Sequence, residues 1–144
     1  MKEKREHLRL PIIHQIGEPI DMMINGEILQ GVIIDLSAGG MLILGYANIM
    51  VNSEIRITID IENLKTKNIT GKAIWTKAED NNMYKTGIKF IDIDPVDFIN
   101  INRMGVDNNE CDAKIAQGEK NVCFRKCNFY VSCNKEQKIK LRKH

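Results

Sequence analysis

Residues 54–61 read EIRITIDI, and this stretch decides the fold class. Isoleucine occupies positions 55, 57, 59 and 61, and charged or hydroxyl side chains occupy the positions between them. Successive side chains of a strand point to opposite faces, so this alternation gives one apolar face and one polar face. A half-buried antiparallel strand explains the pattern.

Further strand and turn signals lie upstream of this stretch. Ile20–Ile24 leads into Asn25-Gly26, the strongest two-residue signal for a β-hairpin. Ile28–Leu36 then forms the returning strand, and Met41–Leu44 is a short apolar strand after it.

Two longer strands are predicted downstream. Asn68–Ala78 separates into two faces. Ile69, Gly71, Ala73 and Trp75 share one face, and Thr70, Lys72, Ile74 and Thr76 share the other. A polar turn at residues 79–82 leads into Met83–Ile91. Six or so short antiparallel strands indicate an all-β fold, either a small barrel or a sandwich.

One helix is predicted after the strands. Asp94 is a suitable N-cap and Pro95 fits the first helical position. Apolar side chains then recur every three residues at Phe98, Ile101 and Met104, and Gly105 is expected to end the helix. The polar residues 107–110 are predicted to connect this body to a tail of different composition. The chain is therefore divided into a barrel, residues 1–105, and a tail, residues 106–144.

Composition and charge narrow the function classes. The chain has 144 residues, 43% of them hydrophobic, as in an ordinary globular protein. A net charge of +2 argues against a surface built throughout for nucleic acid. The excess charge lies at the ends, because residues 1–10 carry +2 and residues 134–144 carry +4, which leaves −4 between them.

The start of the chain and its hydropathy indicate the compartment. The charged N-terminus has no apolar run typical of a signal peptide. The longest uncharged stretch, Leu36–Ser53, is too interrupted by Gly and Asn for a membrane span. We expect a cytoplasmic protein whose cysteines are reduced thiols or metal ligands.

The first motif with ligand chemistry is DLSAGG at residues 35–40. Asp35 and Ser37 are two apart near a strand end, so both project from the same face. Gly39 and Gly40 can adopt positive φ and allow a ligand to approach the backbone. The carboxylate can accept hydrogen bonds from a guanine N1–H and amino group, although the same residues also suit an ordinary turn.

The second motif is Arg5-x-x-x-Arg9. Pro11 disfavours a helical Leu10, which favours an extended arm near Arg9. Two guanidinium groups on such an arm can bind phosphates in a bidentate manner or contact guanine. The alternative for an isolated pair is a solvated basic terminus.

Together the two motifs resemble the PilZ domain family, as does TGIKF at residues 86–90 followed by an Asp-Pro helix start. The resemblance covers about residues 4–105. It implies a six-stranded antiparallel β-barrel that binds cyclic di-GMP. It further implies that Arg5 and Arg9 contact phosphates and guanine, that Asp35 and Ser37 hold a guanine edge, and that Gly40 admits the ligand. Lys4 stands where the family often has a further arginine.

The residues favour a switch over a catalyst. His7 and His14 lie near the arm without a nucleophile or a triad, so we expect no enzymatic activity. An arm that becomes ordered when the nucleotide binds can present a new surface to a protein partner. Motility, adhesion and exopolysaccharide output are the processes that the resemblance implies.

All the cysteines lie in the last 34 residues: Cys111, Cys123, Cys127 and Cys133. Four thiolates suit tetrahedral Zn²⁺ or, less well, an iron–sulfur cluster. The spacing matches a zinc knuckle only between Cys123 and Cys127, so free thiols or a redox disulfide remain alternatives. An alternative function is a nucleic-acid-binding module in which a cysteine–metal knuckle presents the basic tail. A PilZ-like interaction domain without nucleotide binding is a third possibility.

Overall fold

The computed structural model describes residues 10–61 and 64–118. The strands of this part of the chain are β1 (Glu18–Ile24), β2 (Glu27–Ser37), β3 (Gly40–Gly45), β4 (Glu54–Ile57), β5 (Asp60–Ile61), β6 (Leu64–Lys65), β7 (Ile69–Ala78) and β8 (Tyr84–Asp92). A short 3₁₀ turn at Asp80–Asn82 joins β7 to β8, and the helix α1 (Pro95–Ala116) follows.

Six of these strands close into an antiparallel barrel in the order β1-β2-β3-β8-β7-β4. The remaining two, β5 and β6, pair with each other as a small ribbon. The predicted six-stranded antiparallel barrel with a C-terminal helix is thus confirmed. Closure leaves the barrel without a free edge strand that could pair with another chain.

The hairpin between β1 and β2 follows the sequence signal. Asn25 and Gly26 have φ values of 52° and 81°, and Ile24 lies opposite Glu27. Positive φ at both central residues defines the hairpin turn whose twist matches that of the strands.

The isoleucine pattern of residues 54–61 supplies one side of the core. All four isoleucines are buried, and Ile55 and Ile59 have no exposed surface. The stretch is divided, however, because the pairing of β4 with β7 ends at Ile57. Beyond it the Ile59 N–H donates to the Thr66 hydroxyl at 2.9 Å, and the chain enters the β5–β6 ribbon.

The start of α1 is as predicted and its end is not. The Asp94 side chain accepts a hydrogen bond from the Val96 N–H at 2.8 Å, and Pro95 occupies the first turn. Ile101 and Met104 are buried in the barrel core. The helix then continues through Gly105 to Ala116, so the polar connection predicted at residues 107–110 is wrong.

Packing explains why a glycine occupies position 105 inside a helix. A Cβ at this position would lie 2.9 Å from both Cβ and Cγ of Pro11. Gly105 therefore lets α1 pack against the segment before β1, which is a contact that the sequence alone does not reveal. The predicted boundary between the barrel and the tail, at residues 105 and 106, falls inside α1. The division of the chain into these two parts stays a prediction.

Near the N-terminus of α1, the Asp97 carboxylate accepts a hydrogen bond from the Lys67 N–H at 2.9 Å and is buried. This bond ties the helix to the chain between β6 and β7. The structure contains no helix, within residues 10–61 and 64–118, with the length and hydropathy needed to cross a membrane.

Candidate functional site

The outer wall formed by β2, β3, β8 and β7 carries the candidate site. Backbone pairing aligns residues of these four strands in rows across the wall. The central row is Asp35, Leu42, Gly87 and Trp75. The next outward-facing row on one side is Ser37, Gly40, Lys89 and Lys72, and on the other side it is Val32, Leu44, Lys85 and Lys77.

A cleft of about 270 Å³ lies on this wall. Polar and apolar side chains both line it, including Asp35, Ser37, Ile12, Ile74 and Trp75. Pockets for drug-sized ligands usually measure about 300–1,000 Å³. The cleft formed by the described residues is therefore slightly smaller than that range.

Asp35 and Ser37 lie on the same side of β2, and Leu36 between them is completely buried. The Ser37 hydroxyl accepts a hydrogen bond from the Gly39 N–H at 3.2 Å and lies 3.5 Å from the Gly40 carbonyl oxygen. Ser37 thus shapes the β2–β3 turn as well as lining the cleft.

The two glycines of this motif do not use the positive φ that glycine allows. Among the described glycines, positive φ occurs at Gly17, Gly26 and Gly118 and at neither Gly39 nor Gly40. Close strand packing requires glycine at position 40, where a Cβ would collide with the Ile88 carbonyl oxygen of β8. Contact between Gly40 and a ligand stays a prediction.

Trp75 is a residue of the cleft that the sequence pattern misplaced. The period-2 pattern predicts that Trp75 shares a face with Ala73, but the pairing of β7 with β8 shifts between these two residues. Because of this bulge, Ile74 and Trp75 both face outwards and are 50% and 42% exposed. The indole lies over Gly87, where a Cβ would approach the indole Cε2 to 2.6 Å.

The segment at residues 10–17 is attached to β2 beside Asp35. The Ile13 and Leu36 backbones exchange hydrogen bonds of 2.8 and 2.9 Å. His14 Nδ1 lies 3.2 Å from Asp35 Oδ1, and the Gln15 N–H donates to the same oxygen at 3.3 Å. Both contacts use Oδ1, and Oδ2 has no hydrogen bond within the part of the chain that the structure describes.

The side chain of His14 is 67% exposed. Its pairing with Asp35 was missed, because the two residues are 21 positions apart and nothing local connects them. Only the tertiary arrangement brings residues 10–17 alongside β2.

The predicted arginine arm lies outside the described residues, which begin at Leu10. Lys4, Arg5 and Arg9 therefore stay predictions. Leu10 Cδ1 would lie 3.0 Å from a Cβ at Gly39, so the described chain begins beside the DLSAGG motif.

The four predicted metal ligands are also only partly described. Cys111 lies on α1, half-buried and without a disulfide, and Cys123, Cys127 and Cys133 lie outside the described residues. No cluster of three or more His, Cys, Asp or Glu side chains suited to a metal occurs in residues 10–61 and 64–118. The zinc or iron–sulfur site stays a prediction.

Comparison with protein families places this geometry in context. The sequence model of the PilZ domain family matches residues 3–104 of this chain. A search of curated proteins by sequence finds no match.

Solved structures share the fold. Escherichia coli YcgR in complex with c-di-GMP is 15% identical with a TM-score of 0.57, and the alignment covers 77% of this chain and 50% of YcgR. The Bacillus subtilis inhibitor of motility, MotI/DgrA, is 11% identical with a TM-score of 0.53, covering 76% of this chain and 53% of MotI. The isolated PilZ domain of YcgR with c-di-GMP is 15% identical with a TM-score of 0.51, covering 77% of this chain and 97% of that domain. The chain thus spans about half the length of the first two proteins.

Proposed function

This chain belongs to the PilZ domain family, and from that premise we propose that it is a receptor for cyclic di-GMP. The observation that carries the proposal is the cleft on the barrel wall, where Asp35 and Ser37 lie together beside the point at which the N-terminal segment reaches the barrel. YcgR, which shares the fold, was solved with this nucleotide.

The chemistry of Asp35 suits a guanine edge. A guanine presents N1–H and an amino group side by side, and an ionised carboxylate accepts from both because each oxygen has two lone pairs. Asp35 Oδ1 already accepts from Gln15, and Oδ2 has no partner among the described residues. An adenine has an amino group beside N1, but its N1 is an acceptor that an ionised carboxylate cannot bind. Guanine offers two adjacent donors where adenine offers one, so Asp35 would favour guanine.

The arginine arm supplies what the cleft lacks in this proposal. Among the described residues that line the cleft, Asp35 carries a negative charge and none carries a positive one, so the two phosphates need cations from elsewhere. Arg9 directly precedes Leu10, and Arg5 lies four residues earlier, within about 14 Å along an extended chain. We propose that Arg5 and Arg9, with Lys4, close over the nucleotide and contact its phosphates.

Calorimetric titration tests the proposal. We expect c-di-GMP to bind in the micromolar range or tighter and cyclic di-AMP to bind at least about tenfold more weakly, because hydrogen bonds to a charged group contribute about 1.5–3 kcal/mol. Asp35→Asn should weaken the binding of c-di-GMP by a similar factor. The double variant Arg5→Ala/Arg9→Ala should show no measurable binding.

Asp80→Asn, an exposed turn substitution, is the matched control and should bind like the wild type. Absence of heat with c-di-GMP for the wild-type chain, under conditions where it is folded, would refute the proposed function. Equal affinity for the two dinucleotides would refute the role of Asp35.

We further propose that the receptor acts by regulation of a protein partner rather than by catalysis. Asp35 lines the cleft and also contacts residues 14 and 15. A ligand bound at Asp35 would therefore be coupled directly to the segment that leads into the arm. Amide hydrogen exchange should slow at residues 1–17 when c-di-GMP binds. Unchanged exchange there in the saturated complex would contradict a regulatory role for the arm.

A further inference from the structure

On the basis of the proposed function, we infer that His14 competes with the nucleotide for Asp35. His14 Nδ1 lies 3.2 Å from Asp35 Oδ1, an oxygen of the carboxylate that would hold the guanine edge. The imidazole has to leave this oxygen before the whole carboxylate can accept from the base. Removal of the His14 ring should therefore strengthen the binding of c-di-GMP, in contrast to the loss expected when Asp35 itself is changed.

The hydrogen-bond capacity of Asp35 Oδ1 is the reason for the competition. A carboxylate oxygen has two lone pairs. The Gln15 N–H donates to Oδ1 at 3.3 Å, and His14 Nδ1, when it carries the proton, donates to the same oxygen at 3.2 Å. These two donors use both lone pairs of Oδ1. Because the two adjacent donors of a guanine edge match the two oxygens of a carboxylate, one of the contacts at Oδ1 has to break.

The backbone around Gln15 decides which of the two contacts breaks. Ile13, Ile16 and Gly17 form backbone hydrogen bonds of 2.8–2.9 Å with β2, on both sides of Gln15. The Gln15 N–H is therefore fixed against the barrel. The His14 side chain is largely exposed and can leave Oδ1 by rotation about its own side-chain bonds, which is fast for an exposed residue. The nucleotide would thus displace His14 and keep the contact from Gln15.

A second cleft offers the displaced ring another position. His14 lines this cleft of about 440 Å³, between the N-terminal segment and α1, together with Leu10, Val106 and Glu110. The charged groups that face His14, across its contact and across this cleft, are thus Asp35 on β2 and Glu110 on α1. We expect the ring that leaves Asp35 to turn into this cleft, beside the Glu110 carboxylate.

Protonation of His14 should strengthen the competition. Histidine side chains exchange their proton within about pH 5–8. An imidazolium donates a charge-assisted hydrogen bond to an ionised carboxylate, and this bond is stronger than that of the neutral ring. His14 should therefore hold Asp35 more firmly in mild acid, and the nucleotide should gain more from removal of the ring at pH 6 than at pH 8.

Calorimetric titration of the wild type and His14→Ala with c-di-GMP at pH 6 and pH 8 gives the first test. At pH 6 the variant should bind about two- to fivefold more tightly than the wild type, the range expected for the loss of a largely exposed ion pair. The gain should be smaller at pH 8. His144→Ala, which removes the histidine at the end of the chain, is the matched control and should bind like the wild type at both values.

A double-mutant cycle with Asp35 gives the second test. Asp35→Asn removes the charged group that His14 occupies, so His14→Ala should have no measurable effect on c-di-GMP affinity in that background. The same substitution should strengthen binding when Asp35 is present. A gain of equal size in both backgrounds would show that His14 acts through another group, and would overturn the inference.

The possible failures are distinguishable. If the wild type binds c-di-GMP and the folded His14→Ala variant binds equally well at pH 6, the competition is wrong and the proposed function stands. If the variant binds more weakly than the wild type, His14 assists the ligand, for example through a phosphate, and the competition is again wrong. If neither protein binds at either pH, both the competition and the proposed function are wrong.

Discussion

Asp35 connects the cleft to the chain segment that precedes the barrel. Its Oδ1 accepts the Gln15 N–H and lies within ion-pair distance of the His14 ring, while its carboxylate lines the cleft. Gln15 has a φ of 57°, a left-handed conformation that is uncommon outside glycine. A single residue thus contacts the segment and lines the proposed ligand site, which is the basis for coupling between them.

Asp94 shows how one carboxylate stabilises the start of α1. The hydrogen bond from the Val96 N–H is the main reason that the pKa of Asp94 is lowered from its usual value, and Lys67, 3.4 Å away, acts in the same direction against partial desolvation. A lowered pKa means that the ionised form is favoured in the folded state.

Asp94→Asn should therefore destabilise the protein at neutral pH. Asparagine caps helices about as well as aspartate, so the loss reports the missing charge. Because the pKa is lowered on folding, the charge stabilises above the unfolded pKa near 3.9, and this contribution disappears as the pH falls through the folded pKa. Urea midpoints of the two proteins should thus differ at pH 7 and converge below about pH 4. A gap that persists or widens in acid would contradict this account.

At the scale of elements, the β2–β3 turn shows two adjacent glycines with different roles. Gly40 pairs with Lys89, and a Cβ there would collide with backbone of β8. At Gly39 a Cβ would lie 3.0 Å from the flexible end of the Leu10 side chain and at an ordinary contact distance of 3.9 Å from Ser37 Oγ. Barrel closure between β3 and β8 therefore depends on Gly40 and not on Gly39.

Gly40→Ala should destabilise the fold by about 3 kcal/mol or more, because backbone cannot move aside without breaking the β3–β8 pairing. Gly39→Ala is the matched control and should cost less than about 1 kcal/mol, since the Leu10 side chain can shift. Chemical denaturation of both variants measures the difference. Similar losses at the two positions would show that this packing argument is mistaken.

The elements that could be predicted from the sequence are those with local causes. The isoleucine alternation at 54–61, the Asn25-Gly26 turn and the Asp94-Pro95 helix start each act within a few residues. Gly105 was misread as a helix end because its partner, Pro11, is distant in sequence. Trp75 was misplaced because a bulge, which depends on the pairing with β8, reverses the face of the strand.

At the scale of the whole molecule, charge is arranged around the barrel. The middle of the chain is acidic, whereas the predicted arm and residues 134–144 are basic. The structure adds a third basic region, the paired lysines of β7 and β8, on the wall that also holds Asp35 and Ser37. The predicted division into a barrel and a cysteine-containing tail, with its metal site, concerns the other end of the chain and stays a prediction.

Chemical-shift mapping with c-di-GMP tests the central claim, a nucleotide site on the β2–β3–β8–β7 wall, most directly. We expect the largest amide shifts at residues 35–42 and 85–89, together with a shift of the single indole N–H, from Trp75. Residues 54–61, outside this wall, should shift little. Saturable binding whose shifts fall on β1 and β4 instead, with the Trp75 indole unmoved, would contradict the account.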